Sequence, residues 1–183
     1  MIHQRLSFLL LLACVLGTAA AQQSAAGGDF TLTDHNGEKF RLADQRGKVI
    51  LLFFGYTSCT EACPVILSRV NSVFKQLGPE REKAMAIFIS VDPQRDTPQV
   101  LREYVKYFSA HTIALTGKKE EIDAVVNQYG AKYEIEKSDS ALGYHVSHTT
   151  DIYLIDQRGA LQARFKHTDG AALMVAGVKR LWQ

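Results

Sequence analysis

Two stretches of the chain are apolar almost without a break. "KVILLFFGYT" from Lys48 and "AMAIFISVD" from Ala84 are continuous β-rich runs, so each is expected to be a strand buried on both faces. Between them, "PVILSRVNSVFKQL" carries apolar residues at helical spacing and stops at Gly78-Pro79, which predicts a helix with a clear end. Upstream, "FTLTDHNGEKFRL" alternates around Asn36-Gly37, the strongest short hairpin signal. Downstream, "DTPQVLREYVKYF" reads as a helix, with Thr97 as N-cap and Pro98 at its first position. A short strand at "TIAL", a helix over "KKEEIDAVVNQYG" and two extended arms, "AKYEIE" and "GYHVSH", follow in order. "TDIYLIDQRGALQARF" is a strand, a turn at Arg158-Gly159 and a returning strand, and Asp169 to Trp182 ends the domain as a helix.

A hairpin, then β-α-β-α units, then antiparallel strands and a last helix imply an α/β protein with a central mixed β-sheet flanked by helices. This order fits a thioredoxin-like fold with an N-terminal hairpin and an inserted β-hairpin. The 183 residues are enough for one domain with a full-sized core, and no internal repeat or second domain is visible.

The N-terminal segment has its own pattern. "MIHQRLSFLLLLACVLGTAAAQQ" has a basic residue, Arg5, an apolar run too short to span a bilayer comfortably, and then small residues. Ala19 and Ala21 satisfy an A-x-A rule, so residues 1–21 read as a secretory signal. A lipoprotein box, "LLAC", competes with that reading and would make Cys14 the acylated terminus. An uncleaved leader acting as an anchor is a third reading. All three carry the domain out of the cytoplasm, with a membrane tether in the second and third. Residues 22–28 are small and polar and are expected to be a linker, leaving 29–183 as the folded domain.

Composition adds mainly exclusions. With 46% hydrophobic and 22% charged residues, 13 Gly and 4 Pro, nothing suggests disorder, collagen or a multi-span membrane protein. The formal charge of +2 is spread without a basic stripe, so no nucleic-acid partner is expected.

Without the leader, or with Cys14 lipidated, the domain keeps only two cysteines, Cys59 and Cys63, in "FFGYTSCTEACPVIL". Outside the cytoplasm such a pair can oxidise, but closing so short a loop restrains the unfolded chain little. The pair sits at a strand-to-helix turn, where free N–H groups and the helix dipole are expected to lower the pKa values of both thiols. Three chemistries compete. A thioredoxin-type dithiol has one residue fewer between its cysteines and a proline before the facing strand, whereas the last proline here is Pro98. The peroxiredoxin pattern P-x-x-x-T-x-x-C fails at Leu52 and Tyr56. Two thiolates are soft ligands suited to Cu(I), and an added imidazole gives a set that also holds Cu(II). His148, just before "TTDIYLID", lies where the reductases keep their proline.

These stretches resemble the Sco/SenC family of copper chaperones for cytochrome c oxidase assembly. The resemblance rests on "GYTSCTEACP", "SVDPQRDTPQVLREY" and "VSHTTDIYLIDQRG", which match the family's G-Y-T-x-C-P-D-x-C-P, D-P-x-R-D-T-P and D-H-x(4)-Y-L-I motifs in order. It implies a thioredoxin fold with copper held by Cys59, Cys63 and His148. It also implies that the partner is the copper-centre subunit of the oxidase or another cuproprotein. With the leader read as an export signal the expected place is the periplasm, and a thioredoxin-like reductant is the expected partner for a redox dithiol. Cys59 and Cys63 would serve as the redox-active residues if the protein is instead a thiol-disulfide oxidoreductase. Three positions depart from the motifs: Thr60 replaces proline, Glu61 replaces aspartate, and Ser147 replaces the acidic residue before the histidine.

Other residues have plainer expected roles. His145 is the alternative ligand, but strand alternation puts it opposite Tyr144, Val146 and His148. His35, His111 and His167 are expected at the surface. Asp92, Arg95 and Asp96 are expected to act structurally, Tyr104, Tyr107 and Phe108 to pack mostly in the core, and Tyr56 to line the site.

Overall fold

The computed structural model describes residues 27–108, 111–138 and 143–182, so the leader, Cys14 and most of the linker lie outside it. The two apolar runs form β3 (Val49–Gly55) and β4 (Ala84–Ser90), every residue of which is buried. They pair in parallel, and β4 pairs in parallel with β5 (Thr112–Thr116). The hairpin of β1 (Thr31–Asp34) and β2 (Lys39–Arg41) joins antiparallel beyond β5, around Gly37 at φ 85°. On the other side, β8 (Ile152–Ile155) and β9 (Leu161–Phe165) add antiparallel strands, giving a seven-stranded mixed sheet in the order β2-β1-β5-β4-β3-β8-β9.

Alternation along β3 explains why its apolar run is unbroken. Val49, Leu51 and Phe53 pack with α1 (Ala62–Leu77), α2 (Pro98–Tyr104) and α4 (Ala171–Arg180) on one face. Ile50, Leu52 and Phe54 pack with α3 (Lys119–Gln128) on the other. Both faces of the strand therefore leave water, the arrangement expected of a central parallel strand. Two strands stay out of this sheet. β6 (Tyr133–Lys137) and β7 (Tyr144–His148) pair only with each other among the described residues, with Tyr133 opposite His148.

Local signals act as the sequence leads one to expect. The Thr97 hydroxyl accepts from the Val100 N–H at 3.4 Å, with Pro98 at the first helical position. The helix is shorter than its apolar pattern and continues as a tighter turn, Val105–Tyr107. Tyr104 and Phe108 pack against the core, but Tyr107 is 72% exposed, which corrects its expected burial. Gly27 and Gly28, counted into the linker, are already fastened: the Gly27 N–H donates to Gln128 O at 2.8 Å, and the Tyr129 hydroxyl donates to Gly28 O at 3.0 Å. No helix among the described residues is long and apolar enough to cross a membrane.

Candidate metal centre

The buried strand β3 delivers the chain to the site. After Gly55 the backbone turns, with the Cys59 N–H donating to Tyr56 O at 3.2 Å, and α1 begins only at Ala62. Glu61, the residue before the helix, makes no side-chain cap. The Cys63 N–H instead donates to Cys59 Sγ at 3.4 Å, so a sulfur accepts one of the hydrogen bonds that the first helical turn leaves open. Cys63 is 4% exposed, in that same first turn, and fits because residue 55 is glycine. A Cβ there would stand 2.7 Å from Cys63 Sγ and 2.8 Å from a Phe88 ring carbon.

The third donor comes from the hairpin. His148, the last residue of β7, lies with Nε2 3.8 Å from Cys59 Sγ and 3.8 Å from Cys63 Sγ. The donor atoms of the three residues all fall within 4.8 Å of one another, and both cysteines are free thiols. His148 Nδ1 is 3.0 Å from the Thr149 carbonyl. Donating its proton there leaves the Nε2 lone pair aimed at the sulfurs, as a metal-ligating imidazole requires. The Tyr56 ring meets the imidazole edge-on at 5.8 Å. The donor spacing fits a metal: bonds of roughly 2.3 Å to sulfur and 2.0 Å to nitrogen, opened to a trigonal angle, separate S and N by about 3.7 Å.

The two thiols are unlike. A hydrogen bond from the Cys63 thiol holds the Cys59 thiol far below its usual range, against burial and with help from His148 and the Cys63 and Glu61 backbone. The Cys63 thiol is pushed up, first by the proton it shares with Cys59, then by burial and by the neighbouring charge. The expectation that the turn lowers both thiols is therefore corrected. One sulfur bears the charge, and the other keeps the proton until a ligand replaces it.

A cleft of about 470 Å³ opens onto Cys59 and His148 and is lined also by Tyr56, Thr60, Glu61 and His145. A larger groove, about 810 Å³, lies between α3 and the hairpin and reaches His148, but no sulfur lines it. Tyr56 lines the cleft, as expected. His145 stands outside the donor cluster, at the cleft wall, with its Nε2 2.9 Å from Glu136 Oε2. The other histidines are more built-in than expected. His111 stacks on Phe74 at 5.5 Å, His35 Nδ1 accepts from the Ala114 N–H at 3.3 Å, and His167 Nδ1 lies 2.8 Å from Thr150 Oγ1.

Asp96 and Asp92 are structural, as expected, and their partners reach the site. The fully buried Asp96 carboxylate accepts from the Thr57 N–H at 2.9 Å, the Thr57 hydroxyl at 2.6 Å and the Ser90 hydroxyl at 2.6 Å, so it fastens the cysteine loop to the end of β4. Neither this tie nor the role of Gly55 follows from periodicity. The clue was the run of charges in "VDPQRDTP" directly after a wholly buried strand.

Comparison with known proteins places this architecture. The chain is 36% identical over 140 residues to an SCO2-like protein of Rickettsia felis, covering 76% of this chain and 68% of that one. Its fold superposes on Bradyrhizobium japonicum ScoI, solved with copper bound, with a TM-score of 0.79 at 36% identity over 86% of this chain and 99% of the other. A SCO1/SenC family lipoprotein of Bacillus anthracis matches with a TM-score of 0.75 at 25% identity, over 88% and 97% of the two chains. The fold is thus the thioredoxin-like one of the Sco structures. The family model described as SCO1/SenC matches residues 18–183, and this chain belongs to the SCO1/SenC family.

Proposed function

We propose that the protein is an exported copper chaperone that binds copper through Cys59, Cys63 and His148. Its cargo goes to the CuA centre of cytochrome c oxidase, or its dithiol prepares that centre's cysteines. The observation that carries the reading is the convergence of both sulfurs on one imidazole nitrogen, each at 3.8 Å. Two thiolates suit Cu(I), and the imidazole extends the set to Cu(II). Binding displaces the proton held by Cys63, and oxidation of the pair to a disulfide removes both sulfur ligands, so redox state gates release. Export through the leader places the domain in the periplasm, tethered if Cys14 is acylated.

The unequal thiols favour one second reading, a thiol-disulfide reductase. The Cys59 thiolate attacks a partner disulfide and expels one partner thiolate. The Cys63 thiol then gives up its proton and attacks Cys59 in the mixed disulfide, expelling the second. The partner gains two electrons and two protons, one from Cys63 and one from solvent, the proteins end as one disulfide and two thiols, and a thioredoxin-like reductant restores the dithiol.

Titration of the reduced protein with Cu(II), followed by visible absorption, tests the proposal. The chaperone reading expects an intense thiolate-to-copper band saturating at one equivalent and lost in His148→Ala. Oxidation of the dithiol by copper with no band, together with reductase activity that survives His148→Ala, would leave the second reading.

A further inference from the structure

The site is built on two elements that share no strand pairing. Cys59 stands on the loop between β3 and α1 and Cys63 in the first turn of α1, whereas the histidine ends the separate two-stranded hairpin. Something must fix the distance between them. Val146 contributes by burying its side chain in the core, and a charged side chain, Arg95 in the loop after β4, reaches both elements. Its Nε donates to the carboxylate of Asp92, which is 2% exposed. Its Nη1 donates to the Tyr144 carbonyl on β7 at 3.0 Å, and the guanidinium lies over the Tyr144 ring at 3.7 Å. The Tyr144 hydroxyl returns to the same Asp92, donating to Oδ1 at 2.8 Å. The guanidinium carbon also lies 5.6 Å from the centre of the Tyr56 ring, and Tyr56 is the ring set edge-on to His148.

We propose that Arg95, oriented by Asp92, is a positioning residue that staples the histidine strand to the cysteine loop and so fixes the approach of His148 to the two sulfurs. A planar guanidinium suits this task. It donates in its plane to Asp92 and to a strand carbonyl while its faces remain free for aromatic rings, which an ammonium cannot do. Asp92 meets Arg95 and Tyr144 together, so the anchor itself cannot swing. The staple acts on the imidazole and leaves the sulfurs alone, because the cysteine loop has its own fastening through Asp96.

The effect should therefore divide the two oxidation states. In Arg95→Ala, Cu(II) affinity is expected to fall by about 10- to 100-fold, the usual cost of losing support behind a metal ligand. Cu(I) affinity, carried by the thiolates, should change by less than about threefold. In the reduced, copper-free protein, the proton NMR contact between the Tyr56 and His148 rings should weaken or vanish. Arg95→Lys should not rescue either signal, whereas Tyr144→Phe, which keeps the ring under the guanidinium but loses the bond to Asp92, should fall between wild type and Arg95→Ala. If Arg95→Ala does not fold, Tyr144→Leu removes the ring and the hydroxyl from the strand and should show the same division. An intact ring contact in a folded Arg95→Ala or Tyr144→Leu protein would overturn the proposal, as would equal losses of Cu(I) and Cu(II). The copper arm rests on the proposed copper reading and the ring contact does not. A wild-type protein that gives no copper band therefore sinks that reading, while the staple is still decided by NMR.

Discussion

The two sides of the metal centre are made in different ways. The cysteine side continues the core: it follows a strand buried at every residue, is tied down by a buried carboxylate, and fills the space that Gly55 leaves. The histidine side is a two-stranded hairpin whose first strand exposes most of its residues, with Ile135 46% in solvent. Sulfur geometry is thus set by the same packing that makes the fold stable, and imidazole geometry by a few polar contacts laid across a gap. For the proposed copper role the division has a use: the sulfurs hold positions set by core packing, while the third ligand sits on the more exposed element.

The contrast breaks most visibly at Asp96. Asp96→Ala strands the Thr57 and Ser90 donors in the interior and should cost about 3 kcal/mol of stability in urea unfolding, taking copper affinity with it. Gly55→Ala should cost about 2 kcal/mol, because the new methyl meets Cys63 Sγ and Phe88 inside a packed layer. It should weaken Cu(I) and Cu(II) binding together, unlike any change on the histidine side. The unequal thiols give a third test on the reduced protein. A lowered thiol pKa keeps Cys59 ionised as pH falls below the ordinary thiol range, and a raised one keeps Cys63 protonated through it. Between about pH 5 and 8, iodoacetamide should label Cys59 at a nearly constant rate, at least about tenfold faster than Cys63. Mass mapping that finds equal labelling would contradict this. The smallest effect belongs to the hairpin surface: Ile135→Thr should change stability by no more than about 0.5 kcal/mol. Amides of β6 and β7 should nevertheless exchange with solvent sooner than those of β3 and β4, and equal protection would remove the distinction between the two sides.

Much of the fold is legible along the chain because its cues are local. The runs that became β3 and β4, the Thr97-Pro98 helix start, the Gly37 turn and the stop at Gly78 each carry their signal within a few residues. The donor set was legible for another reason: Cys59, Cys63 and His148 sit in motifs whose spacing matches a known family. What escaped depends on contacts between distant segments. The Asp96–Thr57 tie, the Arg95–Tyr144 staple and the Gly55–Cys63 approach each join different elements, and no periodicity records them. The thiol asymmetry escaped as well. Helix dipole and free N–H groups act alike on both cysteines, whereas a proton shared between two sulfurs must favour one. Tyr107 shows the converse limit, since helical spacing fixed its face but the chain left the helix before reaching it.

The central claim is that copper is held by two sulfurs, one from the loop and one from the first turn of α1, and one nitrogen from the hairpin. X-ray absorption at the copper edge of the Cu(II)-loaded protein, beside His148→Ala, tests it most directly. The account predicts two sulfur scatterers and an imidazole in the wild type, with the imidazole signature lost in the variant and the sulfurs retained. An unchanged imidazole signal in His148→Ala, or a wild-type shell with fewer than two sulfurs, would contradict it.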